Sequence, residues 1–239
     1  MTFRDGGDGT PREGLDPAEG RIARFVRKVR WRLREGIYAG RVSVGLRRDV
    51  HAPVAVPSAR IPLSLRSFEP EDLAWLFPDD DTGSGADERA DIAWRLRMVE
   101  RGALFSHCFV AIDETSGRPC HVQWITEAGY DAAIRRGGAL PVLGPDQAML
   151  ENAYTPPQYR GMGVMTAVTA MMAKRAADVG ARTVIAFVDE DNVSSLKGAC
   201  RAGFRPYMIR VRRQYAFGLV RTARFDPLPA DYAFPHQRP

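Results

Sequence analysis

The stretch TPPQYRGMGVMTAVTAMMAKRAADVG, residues Thr155–Gly180, decides how this chain is read. A strand-like run, AMLENAYT (Ala148–Thr155), leads into it. A loop follows with Gln158, Arg160, Gly161 and Gly163, and a helix begins at once, predicted over Val164–Val179 with Met165, Val168, Met172 and Ala176 in register. Glycines lack Cβ, so the chain turns tightly and its N–H groups approach an anion closely. The helix behind them offers unpaired N–H groups and a partial positive charge. Together these suit a pyrophosphate, with Arg160 placed for a charge-assisted contact. Two other phosphate loops fit less well. GMGVMTAV lacks the Lys and Ser/Thr of a P-loop. A dinucleotide fingerprint needs a third glycine or alanine where Thr166 stands, and it follows a first strand, not a late one. A plain tight turn feeding a core helix remains the alternative.

Outward from this loop the chain alternates. Upstream, Ile61–Arg66 reads as a strand and Pro70–Leu76 as a helix start with Glu71 and Asp72 in its first turn. PDDDTGSG (Pro78–Gly85) reads as a loop and Asp87–Arg101 as a helix. Leu104–Asp113 and Cys120–Thr126 read as strands about a turn, ETSGRP. Downstream, Thr183–Val188 is a strand, Asn192–Ala202 a helix, and Tyr207–Phe217 one or two closing strands. This order predicts an α+β fold in which antiparallel strands precede a strand–helix–strand crossover.

The pattern Q-x-x-G-x-G at Gln158–Gly163 resembles the acetyl-coenzyme A signature of the GNAT N-acetyltransferase superfamily. DNVSSLKGACRAGF, Asp191–Phe204, resembles that family's second block through Asn192, Ser195, Gly203 and Phe204. The likeness covers roughly residues 61–220. It implies a GNAT-like mixed central sheet with splayed parallel strands, Ala148–Thr155 and Thr183–Val188, flanked by helices. The pantetheine arm of acetyl-CoA would lie in the gap, because a strand edge with open N–H and C=O groups is a template for an extended amide chain. By the resemblance, N–H groups near Ala153, Tyr154 and Thr155 would face the thioester oxygen. Tyr159, Arg160, Gly161, Met162 and Gly163 would hold the pyrophosphate, with Val164 opening the helix behind them. Asn192 would bond the pantetheine or a strand end, with helix N-capping as its alternative role, and Ser195 would reach a phosphate.

The implied activity is transfer of an acetyl group to a primary amine in a ternary complex, by an acyltransferase with no metal. The alternative is a non-catalytic acyl-CoA-binding module. An amine attacks only when neutral, so a carboxylate base is needed. Glu151 is the candidate: an ionised carboxylate within an apolar strand is costly unless used or paired. Strand parity would point it with Ala153 and Thr155. Asp146 is a weaker choice. Relatives often carry a tyrosine acid where this chain has Ala199. Cys200 is adjacent but about 100° round the helix, and Tyr154 and Tyr207 are substitutes by proximity in sequence. His107 and His121 read as structural, while Trp124 and Tyr130 are candidates to line the acceptor pocket. Residues 127–145 make a long connection, expected to cover the acceptor site, and carry Arg135 and Arg136.

The chain has 239 residues, 45% hydrophobic and 26% charged, which excludes wholesale disorder and rod-like repeats. No apolar run approaches the ~20 residues of a membrane helix, and the polar start does not read as a secretory signal. Cys108, Cys120 and Cys200 suit buried thiols in a reducing cytoplasm, the expected location. Residues 21–50 hold ten Lys/Arg against Glu35 and Asp49, a local +8 within an overall +5, so the remainder is −3. Ile22, Val26, Val29 and Leu33 form one stripe there, predicting a basic amphipathic helix that packs on the domain, with contact to anionic membrane or RNA as its alternative role. The expected organisation is a flexible tail (1–20), a basic N-terminal extension (21–58), a GNAT-like domain (59–222) and a C-terminal tail (223–239). The expected partners are acetyl-CoA and an amine-bearing acceptor, with no nucleic acid; a homodimer is compatible with the chain.

Overall fold

The computed structural model describes residues 38–77, 88–89, 92–93, 95–96, 107–130, 138, 140–216, 220–229 and 232. The predicted basic helix, the loop at 78–85, Arg135, Arg136 and most of the final tail lie outside these residues. The chain falls into two compact units, a main one of Arg41–Arg212 with Thr222–Pro239 and a small one of Met1–Gly40 with Arg213–Arg221. In the small unit, the Tyr38 and Tyr215 rings lie 5.3 Å apart. The residues of the candidate site all belong to the main unit.

The elements in chain order are β1 (Tyr38–Asp49), β2 (Leu63–Ser67), α1 (Asp72–Leu76), β3 (His107–Asp113), β4 (Arg118–Glu127), β5 (Gln147–Tyr154), α2 (Val164–Arg175), β6 (Thr183–Asp189), α3 (Val193–Arg201), β7 (Arg205–Tyr215) and β8 (Val220–Pro227). Short 3₁₀ turns occupy Pro157–Tyr159 and Ala176–Val179. Among the described residues, eight strands form one mixed sheet in the order β2-β3-β4-β5-β6-β1-β7-β8. β2 to β5 pair antiparallel in sequence, and β5 pairs β6 in parallel across the α2 crossover. The predicted helix over 164–179 is α2 plus a 3₁₀ turn that stops at Gly180 in the left-handed region (φ 80°).

Within the basic extension, Ile37–Leu46 reads in sequence as possible short strands, and Tyr38–Asp49 form β1, which inserts beside β6 with seven paired residues. Residues 223–227, assigned to the C-terminal tail, lie in β8. The neighbours these strands take in the sheet depend on long-range pairing, which local pattern does not report. β1 is anchored by Arg48, 2% exposed, whose guanidinium donates to the Ala202 carbonyl at 2.7 Å and the Ala170 carbonyl at 3.4 Å. It thereby satisfies a carbonyl left over at the C-terminal end of α3.

The main core lies under α2 and α3. Val164, Val168, Ala170, Met172 and Ala173 pack on Leu46, Ile125, Leu150, Val184 and Ala186. A second cluster on the other face joins Leu76, Phe77, Val110, Val122, Trp124 and Tyr154. Gly198 of α3 sits where a Cβ would come within 2.6 Å of Met165 and 2.8 Å of the Thr166 hydroxyl, so α2 and α3 cross at a glycine. The three cysteines are free thiols, and burial pushes that of Cys120 up to about 12.

Candidate active site

β5 and β6 share four paired positions, from Gln147↔Thr183 to Leu150↔Ala186. Beyond these, both strands continue, to Tyr154 and Asp189, without pairing to each other. The cause is local to β5. Its register against β4 shifts between Trp124↔Glu151 and Val122↔Tyr154, placing an extra residue in β5. Asn152 sits there in the left-handed region (φ 53°). A bulge bends and twists its strand, and here it turns the end of β5 away from β6. Ala153, within a strand in mid-sheet, is exposed.

The bulge also corrects the parity expected for Glu151. Trp124 and Val122 share a face, and so do their partners Glu151 and Tyr154. Thr155 lies on the opposite face, where its hydroxyl meets His121 Nδ1 at 2.7 Å. Glu151 therefore does not point with Thr155. Its carboxylate accepts a hydrogen bond from the Thr126 hydroxyl. Burial raises its pKa above the ordinary carboxylate range, while the Thr126 bond and the Arg210 charge act the other way. Burial outweighs the two opposing influences and favours the protonated form.

At the loop, Gly161 (φ 74°) and Gly163 (φ 80°) both require the left-handed backbone that glycine adopts without strain. Nothing lies within 4 Å of where a Cβ on Gly161 would stand. Gly163 caps the start of α2, against the Ser58 carbonyl, and the Arg60 N–H donates to the Met162 carbonyl at 2.8 Å. Tyr159 and Arg160 N–H groups close the 3₁₀ turn on Pro156 and Pro157 carbonyls. The N–H groups of Tyr159 and Arg160 are thus already committed within the turn. The Tyr159 ring packs on the core, and Gln158 is exposed.

The Arg160 guanidinium donates to the Thr155 carbonyl at 3.0 Å and pairs with Glu88, which also accepts from the Tyr154 hydroxyl at 3.3 Å. Sequence reasoning missed Glu88 because no local pattern connects it to the loop. Tyr154 is buried, its ring 4.9 Å from Phe77. Asn192 caps α3, its side chain accepting the Ser195 N–H at 3.1 Å. Ala199, in the tyrosine position, is 4% exposed. Tyr207 packs beside Met149, Ile185 and Tyr130, and burial raises its phenol. His121 is fully buried and held down at about 4, so it stays neutral; His107 lies 3.6 Å from Glu127. Trp124 packs in the second core cluster. Among the described residues, no group of His, Cys, Asp and Glu is placed to hold a metal, and no helix is long and apolar enough to cross a membrane.

Residues 75–204 match the sequence profile of the Acetyltransferase (GNAT) family. The chain belongs to this family. Solved GNAT structures are similar to it at low identity. A GCN5-related glucosamine N-acetyltransferase region of a fungal multi-domain GH3 β-N-acetylglucosaminidase is 16% identical, with TM-score 0.51, covering 85% of this chain and 24% of that one. A GCN5-related N-acetyltransferase from Sphaerobacter thermophilus is 16% identical, with TM-score 0.46, covering 79% of this chain. This GNAT chain spans 56% of the Sphaerobacter protein's length. A GNAT-family acetyltransferase from Colwellia psychrerythraea is 15% identical, with TM-score 0.49, covering 82% and 73%. No curated protein matches the sequence.

Proposed function

We propose that this GNAT-family chain is an acetyl-CoA-dependent N-acyltransferase that moves an acetyl group to a primary amine within a ternary complex. The observation that carries this reading is the early end of the β5/β6 ladder at Leu150↔Ala186, made by the bulge at Asn152. It leaves the last turn of β5 with main-chain groups open for an extended amide-bearing arm. The residues present fit acetyl-CoA: an open strand edge, two left-handed glycines with clear space at Gly161, and the N-terminus of a 12-residue helix behind them.

Acetyl-CoA supplies the activated acyl group as a thioester. The chain supplies position and proton traffic. N–H groups from Gly161 to Val164 bind the pyrophosphate, with Arg160 exchanging part of its contact with Glu88 for phosphate oxygen. Main-chain N–H groups at Ala153, Tyr154 and Thr155 stabilise charge growing on the carbonyl oxygen. Glu151, held by Thr126, removes the amine proton as the C–N bond forms and the C–S bond breaks. The sulfur leaves with the C–S electron pair as a thiolate and takes its proton from water, so a chain with Ala199 in the tyrosine position retains a workable route. Asn192 and Ser195 hold the start of α3 beside the arm.

The test is calorimetric binding of acetyl-CoA together with release of free thiol across an amine panel. Binding and thiol release together support the reading. Binding without turnover on any amine favours a non-catalytic acyl-CoA-binding module, for which Ala199 is the motivating residue.

A further inference from the structure

On the face that carries Glu151, the first residue of β6 beyond the last pair with β5 is Phe187. Glu151 and Phe187 thus flank the opening on one side of the sheet. The Arg210 guanidinium of β7 lies over the Phe187 ring, 4.4 Å from its centroid, and Arg210 is 7% exposed. It donates to the Ser43 hydroxyl at 3.2 Å, and Ser43 donates to Asp189 at 2.6 Å. Asp189 also receives Arg41 at 2.8 Å and Arg212 at 3.3 Å. Arg210 and Arg212 are two apart on a strand and so share a face. Among the described residues, these contacts join the guanidiniums of Arg41, Arg210 and Arg212 to the Asp189 carboxylate. The Glu151 carboxyl feels the Arg210 charge. Arg212 keeps a buried Nε with no hydrogen-bond partner, and its side chain is 34% exposed.

A cluster of guanidiniums with a partly buried donor, an aromatic floor and a carboxyl that feels their charge suits an anion close to an amine. We propose that the acceptor is a small zwitterion, with an oxyanion (carboxylate or phosphonate) docked on the Arg210–Arg212 pair a few bonds from the amine presented to Glu151. This deepens the acyltransferase reading and rests on it. Cationic polyamines are disfavoured by the same charge.

The experiment uses the full chain with acetyl-CoA and matched acceptors: short ω-amino acids, aminoalkylphosphonates and the uncharged amides of the same amino acids. Thiol release is expected to favour an anionic series over the amides by about 10–100-fold in kcat/KM, the worth of a charge-assisted hydrogen bond. Whether carboxylate or phosphonate leads identifies the oxyanion. Arg212→Gln is expected to cut that preference through KM with kcat little changed, and Arg210→Met to abolish it. Arg210→Lys, which keeps charge and loses the planar fork, should recover part of it. Acetyl-CoA affinity and thermal melting of each variant show whether it is folded. Equal use of acids and amides, or a preference untouched by Arg212→Gln in folded protein, overturns the proposal while leaving the acyltransferase reading standing. If no amine turns over, calorimetric binding of the amino acids and phosphonates to CoA-loaded protein decides. Binding lost in Arg212→Gln supports the subsite and counts against catalysis alone; no binding overturns the subsite.

Discussion

β6 has two edges, and they differ. Toward β1 it is zipped over seven residues, from Ser43↔Asp189 to Asp49↔Thr183. Toward β5 it pairs over four and then stops. The strand is the same, so its sequence does not cause the gap. The difference lies in the neighbours: β1 runs in regular register, whereas β5 carries an extra residue at a left-handed Asn152. The zipped edge supplies rigidity that lets the other stay open without collapse. The open edge concentrates what a folded chain normally avoids, namely an unpaired strand end and a buried, proton-avid carboxylate.

Substitutions at the two edges should separate activity from stability. Glu151→Gln at the open edge is expected to lower kcat by about 10²–10⁴-fold with acetyl-CoA affinity unchanged, measured by thiol release and calorimetry. Wild-type rate should rise with pH through a point above the ordinary carboxylate range, because the carboxyl must ionise to act. The stability sign is opposite. A folded-state pKa above the unfolded value gives stability that is full below the unfolded pKa and is lost as pH rises through the folded one. Glu151→Gln should therefore gain stability over wild type above that range and not in acid, as urea midpoints at two pH values would show.

The zipped edge predicts the reverse pattern. Leu46, fully buried in β1 and paired with Ala186, supports the sheet without facing substrate. Leu46→Ala is expected to cost about 2–5 kcal/mol of stability while kcat per folded molecule stays near wild type. Chemical denaturation paired with turnover at low temperature checks both halves.

Smaller effects belong to the loop and the helix cap. Gly163→Val forces a β-branched residue to φ 80° against the Ser58 carbonyl. It should cost about 1–2 kcal/mol and weaken acetyl-CoA binding more than it slows bound turnover, a split visible in calorimetry and saturation kinetics. Asn192→Ala removes the bond to the Ser195 N–H. A loss near 1 kcal/mol is expected, read in the melting temperature, with Asn192→Asp restoring most of it.

The parts of this molecule written in the sequence are those set by neighbouring residues. Gly161 and Gly163 mark a turn because few other residues accept their backbone, Asn192 marks a helix start, and the apolar stripe from Val164 marks α2. Glu151 stood out as a charge in an apolar strand. Its orientation did not, because a bulge breaks the two-residue alternation and Asn152 gives no local warning. The insertion of β1 beside β6, the Glu88–Arg160 pair and the Arg210–Ser43–Asp189 chain join residues far apart in sequence. Tyr207–Phe217 reads as one or two closing strands, but nothing local marks Arg210 and Arg212 or the residues they meet.

The central claim is that acetyl-CoA occupies the opening between β5 and β6. Residue-resolved amide hydrogen exchange, with and without acetyl-CoA, tests it most directly. The account predicts slowed exchange at 151–155 and 161–165 when acetyl-CoA binds, with the β1–β6 ladder unchanged. Binding that leaves 151–155 exchanging as before, or that protects the β1–β6 edge instead, would contradict it.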